Sequence, residues 1–305
     1  MSSTHGKTVR IYLADGSPAG IRHAEVVNWT GQAIVCPRGR VGELSDWPEA
    51  HRPGVYILLG ENPKSSKPMA YIGEAEHVHT RLKQHVTYKD FWDQVVFFTS
   101  KDENLTKSHV KYLESRMVDL AVTAKRMELE NGNAPTQSTL PRPDRAAMEE
   151  FLGPARILLG ALGFTLLEPV KGPIGPNDEE MKDHPLASTT LFFEMSKSGV
   201  KATGASGDEG FVVFGGSVGS AVTVDSLSSG YEKLRETMLD DGRLKRTADA
   251  ILVSRDILFN SPSAAAAVLR GAEKNGRTCW KDKNGKTLAE LEEALLNTTE
   301  DEGSV

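Results

Sequence analysis

The sequence is poor in cysteine and has no long apolar run. The spacing of its two cysteines, Cys36 and Cys279, fits neither a disulfide framework nor a zinc site. No stretch approaches the roughly 20 apolar residues that a membrane-spanning helix needs, and the first residues lack the apolar core of a signal peptide. We therefore expect a cytoplasmic protein in a reducing compartment, without a membrane partner. The sequence gives no indication of its oligomeric state.

A basic surplus is also absent, since the formal net charge is −6. The charges are unevenly distributed, however. Residues 51–126 hold 12 Lys and Arg against 9 Asp and Glu, and residues 254–286 hold 7 against 3. Residues 127–253 hold 12 against 19. Local fields govern phosphate binding, so the two basic segments leave DNA open as a partner.

The 305 residues are too many for one typical core and predict several small domains. Composition shifts and Pro-rich stretches suggest the boundaries. The predicted segments are a β-rich N-terminal extension (1–50), a β-β-α-β-α domain (51–133), a linker with a helix that Pro154 could kink or break (134–185), a β-hairpin and helix middle domain (186–253), a small C-terminal domain (254–296) and a disordered acidic tail (297–305).

Residues 51–133 show a β-β-α-β-α order. Apolar, β-branched runs predict the strands, and apolar residues at helical spacing predict the helices. The successive stretches are "GVYILLG", "MAYIG", "AEHVHTRLKQHV", "QVVFFTS" and "NLTKSHVKYLESRMVDLAV". The expected fold class is therefore α+β, with small β-rich and α/β domains flanking this module.

The first predicted helix carries a set of residues suited to phosphate chemistry. His77, Arg81 and His85 recur every four residues and share one face, while Val78, Leu82 and Val86 form the neighbouring apolar stripe. Arginine binds phosphate through a rigid fork of donors, and histidine transfers protons near neutral pH. An ordinary solvated helix face is the alternative interpretation.

The triplets "GVY" at 54–56 and "YIG" at 71–73, followed by Arg81 and Glu114, resemble the GIY-YIG nuclease family. The resemblance covers about 80 residues and implies that Tyr56, Tyr71, Arg81, His85 and Glu114 form the active site. It implies that Arg81 neutralises the scissile phosphate and that Glu114 holds one divalent cation. The family also has an asparagine late in the module, for which Asn131 and Asn133 are both candidates. His77 is a further candidate for a DNA contact.

The chemistry of phosphodiester hydrolysis suits these residue types. An arginine and a cation stabilise the negative charge that develops in the transition state. Mg²⁺ or Mn²⁺ is the expected cofactor, because Mg²⁺ takes oxygen ligands and needs few of them from protein. The resemblance implies a tyrosine as general base assisted by His85, and the residues alone leave Tyr56, Tyr71 and His85 open.

The stretch "FNSPSAAAAVLRGAEKNGRTCWKDKNGKTL" resembles a small uncharacterised domain often joined to GIY-YIG nucleases. Ser261, Pro262 and Gly271 predict the start and stop of a helix, and Asn284-Gly285 predicts a hairpin turn. Stacking of a base on Trp280 and packing of Trp280 in a core are both open. Residues suited to nucleic-acid contact are Lys83 in the first module and, here, Arg277, Trp280, Lys281 and Lys283.

These features favour a divalent-metal-dependent DNA endonuclease. A non-cleaving nucleic-acid-binding module built on the same fold is the alternative. A partner-binding scaffold role for the acidic middle region is a third hypothesis, which predicts no salt-sensitive affinity for DNA.

Overall fold

The computed structural model describes residues 6–65, 67–131, 139–169, 186, 189–207, 209–224 and 226–301, without the side chains of 298–301. The described chain is a mixed α+β protein with two sheets and several helices, as expected for the fold class. It divides into two compact units, residues 1–169 (unit 1) and 170–305 (unit 2).

Unit 1 consists of a sheet covered by helices. Its strands are β1 (Val9–Leu13), β2 (Arg22–Val26), β3 (Gly31–Pro37), β4 (Gly54–Glu61), β5 (Pro68–Ala75), β6 (Trp92–Ser100) and β7 (Glu128–Leu129). Its helices are α1 (Val78–Tyr88), α2 (Lys107–Ala124) and α3 (Arg142–Ala161), with two 3-10 segments at Arg38–Asp46 and Pro48–His51.

The sheet of unit 1 has the order β1-β2-β3-β6-β4-β5-β7, and every pair is antiparallel except β5 with β7. The central strands β3, β4 and β6 are almost wholly buried. Both of their faces are covered, because α2 and α3 pack on one face while α1 and the 3-10 segments pack on the other. Continuous apolar runs such as "VYILL" follow from this double coverage.

The predicted boundary between residues 50 and 51 is corrected by this sheet. Strand β3 pairs with β6 along its whole length, from Gly31 opposite Ser100 to Pro37 opposite Gln94. The N-terminal segment is thus part of the same sheet as the predicted β-β-α-β-α domain. Helix α3, predicted to lie with a linker, also belongs to unit 1, and it runs through Pro154 without a break. Phe151 of α3 packs on Trp29 with ring centroids 4.8 Å apart.

Unit 2 holds the second sheet. Its strands are β8 (Leu191–Met195), β9 (Val200–Gly207), β10 (Gly210–Val213), β11 (Val218–Ser220), β12 (Leu244–Arg246), β13 (Ala250–Val253) and β14 (Ile257–Phe259). Its helices are α4 (Ser229–Asp240), α5 (Pro262–Arg270), α6 (Gly276–Cys279) and α7 (Leu288–Asp301).

The predicted boundary between residues 253 and 254 falls inside unit 2. Strand β14 pairs with β10, and α5 shares one core with the strands of the middle segment. The predicted ends of α5 are confirmed. The Ser261 hydroxyl accepts a hydrogen bond from the Ala264 amide at 3.1 Å, and Gly271 ends the helix with a φ of +72°.

Two further predictions for the C-terminal segment are corrected in part. The stretch 276–279 forms the short helix α6. A short hairpin remains around the predicted turn, where the Leu288 amide donates to the Trp280 carbonyl oxygen and the Asp282 amide to the Lys286 carbonyl oxygen, both at 2.8 Å, and Lys281 bridges Thr287. Gly285 does occupy its turn, with a φ of +84°. Helix α7 continues to Asp301 into the expected disordered tail, of which residues 302–305 lie outside the described chain. No helix in the described ranges is long and apolar enough to cross a membrane.

Candidate active site

The two motif tyrosines lie on neighbouring strands and face the same side of the sheet. In the β4–β5 pair, Tyr56 is opposite Gly73 and Leu58 is opposite Tyr71. Residues directly opposite each other, and those two apart on one strand, share a face. Tyr56 and Tyr71 are therefore diagonal neighbours on the face covered by α1, with ring centroids 6.3 Å apart.

Gly73 makes room for the Tyr56 ring. A Cβ atom at this position would lie 2.4 Å from the Tyr56 hydroxyl oxygen and 2.9 Å from the Tyr71 ring. Any side chain here would displace one of the two tyrosines, so the glycine of "YIG" has a packing reason. Gly54 of "GVY" is similarly confined, since a Cβ there would lie 2.6 Å from the Phe98 carbonyl oxygen.

Helix α1 brings the basic residues to the tyrosines. The residues of α1 that are buried against the sheet are Val78, Leu82 and His85, whereas Val86 is 37% exposed. The predicted apolar stripe is corrected accordingly, because His85 takes the inward position that the spacing assigned to Val86. At about 100° per residue, Val78, Leu82 and His85 span a narrow arc that reaches the sheet, and Val86 lies beside that arc.

Tyr56, His85 and Arg81 form a hydrogen-bonded group. The Tyr56 hydroxyl lies 2.7 Å from Nε2 of His85, and Nε–H of Arg81 donates to the Tyr56 oxygen at 3.4 Å. Burial lowers the pKa of His85 to about 4, helped by the charges of Arg81 and Lys89. His85 is therefore neutral near pH 7, and its Nε2 can accept the Tyr56 hydrogen. Burial also raises the pKa of Tyr56, so this phenol stays protonated.

Tyr71 contacts His85 of α1 and Lys89, the C-cap residue of that helix. The ring centroids of Tyr71 and His85 are 5.3 Å apart, and Nζ of Lys89 lies 4.3 Å from the Tyr71 ring centroid. Lys89 is in turn ion-paired with Glu130. Sequence reasoning missed Lys89, although its position four residues after His85 would have indicated the same face of the helix.

Asn131 holds the backbone between Tyr71 and Gly73. Its Oδ1 accepts from the Ile72 amide at 3.0 Å, and its Nδ2 donates to the Ile72 carbonyl at 2.7 Å. The side chain extends the β5–β7 ladder by one residue and acts on the site through the backbone of β5. The other candidate asparagine, Asn133, lies outside the described residues.

Glu114 approaches from α2, which packs against β5. Its pKa is raised to about 7 by burial and by the carboxylate of Glu74, against the opposing charges of Lys111 and Arg81. Glu74 follows Gly73 on β5, so strand alternation turns it toward α2. The described residues include no cluster of three or more His, Cys, Asp or Glu side chains that could hold a metal ion.

The remaining histidines and Lys83 lie outside this group. His77 is exposed, and its Nδ1 bonds the His51 carbonyl oxygen at 2.7 Å rather than any tyrosine. His79 is buried against His51, with ring centroids 5.6 Å apart. His109 forms a capping box with Thr106 at the start of α2, since the Thr106 hydroxyl accepts from the His109 amide and Nδ1 of His109 accepts from the Thr106 amide. Lys83 is exposed on α1.

In unit 2, the structure decides between the two alternatives left open for Trp280, because the residue packs in the core. Trp280 is 0% exposed, packs against Phe211 and Phe193, and donates from Nε1 to the Pro262 carbonyl oxygen at 3.1 Å. A ring enclosed in this way has no free face for a base. Arg277, Lys281 and Lys283 are exposed, and Arg277 is ion-paired with Glu292.

Comparison with known proteins characterises part of unit 2. Residues 191–292 match the family model described as "Domain of unknown function (DUF4357)". The match covers a third of the chain and extends from β8 through the C-terminal stretch in which such a domain was expected. No curated protein and no solved structure matches the chain. The nuclease interpretation of residues 54–114 therefore rests on the motif residues and on the geometry described above.

Proposed function

We propose that the protein is a divalent-metal-dependent DNA endonuclease that hydrolyses phosphodiester bonds at a GIY-YIG-like site in unit 1. The contact of Tyr56 with His85, closed by Arg81 and flanked by Tyr71, carries this proposal. Four residues spread over the motif meet in one place, on two strands and one helix.

The group offers a route for the proton of an attacking water. Neutral His85 can accept the phenolic hydrogen of Tyr56 while the Tyr56 oxygen takes a proton from the water. The hydroxide then forms a bond to phosphorus, and the bond from phosphorus to the leaving oxygen breaks. Arg81 is exposed next to the Tyr56 oxygen and can hold the phosphate there through its planar fork of donors.

Glu114 fits the divalent cation that this chemistry calls for. Glu74 and burial both disfavour its charge, and a cation beside it would offset that cost. One or two carboxylates suffice for Mg²⁺, because substrate phosphate and water complete its ligands. A bound Mg²⁺ or Mn²⁺ would supply charge stabilisation at the phosphate and the leaving oxygen. Glu114 would hold it, with Glu74 close by.

Unit 2 would hold or select the DNA in this proposal. The exposed side chains of Arg277, Lys281 and Lys283 can contact phosphates. Trp280 would contribute only through the core that supports them.

Cleavage of supercoiled plasmid tests the proposal. Wild type and Glu114→Gln are compared with Mg²⁺, with Mn²⁺ and with chelator, on modified and unmodified DNA. We expect metal-dependent nicking or linearisation by wild type and a loss of at least about 100-fold in Glu114→Gln. An equally active Glu114→Gln would refute the assigned site.

A non-cleaving nucleic-acid-binding module is the second candidate. Tyr56 is 0% exposed and His85 is 5% exposed, so water reaches this pair only if the cover over it moves. Salt-sensitive binding of DNA without cleavage, under all metal conditions, would favour this function.

A further inference from the structure

The solvent-facing side of α1 has an unusual composition. Its exposed residues, apart from the marginal Val86, are Thr80, Arg81, Lys83, Gln84, Thr87 and Tyr88. All six can form hydrogen bonds, two are cationic, and none is acidic. The nearest acid downstream, Asp90, follows the C-cap residue Lys89. Lys, Arg, Thr, Gln and Tyr are the residue types whose side chains contact DNA phosphates and sugars.

The other long helices of unit 1 differ in this respect. Helix α2 carries Glu114 and Asp119, and α3 carries Asp144, Glu149 and Glu150. Helix α1 is therefore the one of these three that contains no Asp or Glu at all. Since α1 also carries Arg81, this face is directly continuous with the candidate active site.

Tyr88 is placed in line with Arg81. Seven residues at about 100° each bring Tyr88 to within about 20° of the Arg81 direction, about 10 Å further along the axis. Tyr88 is 83% exposed, which is more than any other large hydrophobic residue in the described part of the chain. Gln84 lies between them and accepts a hydrogen bond from Arg81 at 2.9 Å, which leaves its amide N–H groups free to point outward.

We infer that the exposed face of α1 is the surface on which DNA lies during cleavage. Arg81 contacts the scissile phosphate at one edge of this face, and Tyr88 packs on a base or sugar further along it. Lys83, about 160° around the helix from Arg81, contacts a more distant part of the backbone at the other edge. With α1 running along the duplex axis, the spacing from Arg81 places Tyr88 about three base-pair steps from the cut, at about 3.4 Å per step. This inference rests on the proposed function, since it takes Arg81 as the phosphate contact.

A pair of matched charge substitutions tests the surface. Thr87 and Thr123 are both exposed, lie in the last turns of α1 and α2, and donate to the carbonyl four residues earlier, at 3.3 and 2.8 Å. Glutamate at position 87 would lie four residues after Lys83, and at position 123 four residues after Asp119, so the Tm of each variant is measured beside its affinity. We expect Thr87→Glu to weaken binding of a fluorescein-labelled DNA duplex at least about tenfold, and Thr123→Glu to change it less than about twofold. Anisotropy of the full chain in chelator measures affinity without cleavage.

Lys83 and Tyr88 provide independent measurements on the same surface. Lys83→Ala should reduce the slope of log affinity against log salt by about 0.9, because one fewer counterion is released. Tyr88→Ala should weaken binding about 5- to 150-fold, whereas Tyr88→Phe should keep most of the affinity.

The outcomes separate the inference from the proposed function. If wild type cleaves plasmid and Thr87→Glu binds as tightly as Thr123→Glu, the α1 surface is wrong and the endonuclease stands. If wild type binds with the expected Thr87, Lys83 and Tyr88 dependence but never cleaves, the surface stands and the endonuclease falls. Absence of salt-sensitive binding by wild type would overturn both.

Discussion

The hydroxyl of Tyr56 lies 2.7 Å from Nε2 of His85, which joins a central strand to a helix 29 residues further along the chain. His85 is buried in this contact, whereas an exposed histidine would titrate near neutral pH. The bond couples the stability of unit 1 to the proposed hydrolysis, because Nε2 of His85 is both the hydrogen-bond partner of the Tyr56 hydroxyl and the atom that would receive its proton.

The first prediction concerns the stability of the wild type in acid. The pKa of His85 is lowered from 6.5 to about 4 in the folded protein. Between those values the unfolded state binds a proton that the folded state does not, so the free energy of unfolding falls as pH drops from about 6.5 to 4. His85→Gln should remove at most about 3 kcal/mol of that fall. Urea unfolding at pH 7.5 and 4.5 measures it, and identical pH dependence in both proteins would contradict it.

The second prediction concerns the room that Gly73 provides. In Gly73→Ala the new Cβ would meet the Tyr56 hydroxyl, so we expect a loss of about 1–3 kcal/mol in the free energy of unfolding and a loss of cleavage. Gly39→Ala is the control, because nothing lies within 4 Å of its Cβ position. A Gly73→Ala protein with wild-type stability and activity would show that the tyrosines are not confined as described.

The third prediction concerns Asn131. Asn131→Ala leaves two backbone groups of Ile72 without their partners, which should cost about 1–3 kcal/mol. Since Asn131 acts on Tyr71 through the strand, kcat should fall more than KM rises. Asn131→Asp keeps the acceptor and loses the donor, so it should show an intermediate effect. An increase in KM alone would instead indicate a direct substrate contact.

The fourth prediction concerns Glu114 and pH. Its pKa is raised from 4.5 to about 7, so the folded state holds a proton that the unfolded state has lost, and stability falls as pH rises from about 4.5 to 7. Without metal at pH 8, Glu114→Gln should therefore have a higher Tm than wild type. Mg²⁺ should raise the Tm of wild type but not of the variant. Equal Mg²⁺ effects on both proteins would remove Glu114 as the ligand.

The fifth prediction concerns Trp280. Trp280→Ala should cost about 3–5 kcal/mol because it empties a site between Phe193 and Phe211. Trp280→Phe should cost less and should leave DNA affinity unchanged below its thermal transition. A large loss of affinity in folded Trp280→Phe would instead indicate that Trp280 contacts DNA directly.

Local patterns predicted many elements correctly and failed where distant segments meet. The strands around "GVY" and "YIG" and the ends of α5 follow from apolar runs and capping residues. The pairing of β3 with β6 and of β10 with β14 does not, because strand pairing over long separations leaves no local signal. The expected domain boundaries consequently fell inside both sheets.

The candidate site shows the same division. Helical spacing placed Arg81 and His85 on one face, and the resemblance to the GIY-YIG family implied that Tyr56 and Tyr71 join them in one site. Spacing could not decide that His85, and not Val86, turns inward, because both positions border the buried arc. Contact with the Tyr56 hydroxyl decides it, through the 2.7 Å bond.

Residue types and their periodicity depend on neighbours along the chain, so they could be predicted without the structure. The space that Gly73 leaves for Tyr56 follows from the pairing of β4 with β5, and the folded chain also decides which charges interact. Burial and the carboxylate of Glu74 raise the pKa of Glu114, although the two residues are 40 positions apart. They meet because α2 packs against β5. The sequence left Trp280 open between stacking on a base and packing in a core, and the fold of unit 2 places it in the core. Burial and electrostatics depend on distance in space, which local sequence patterns do not specify.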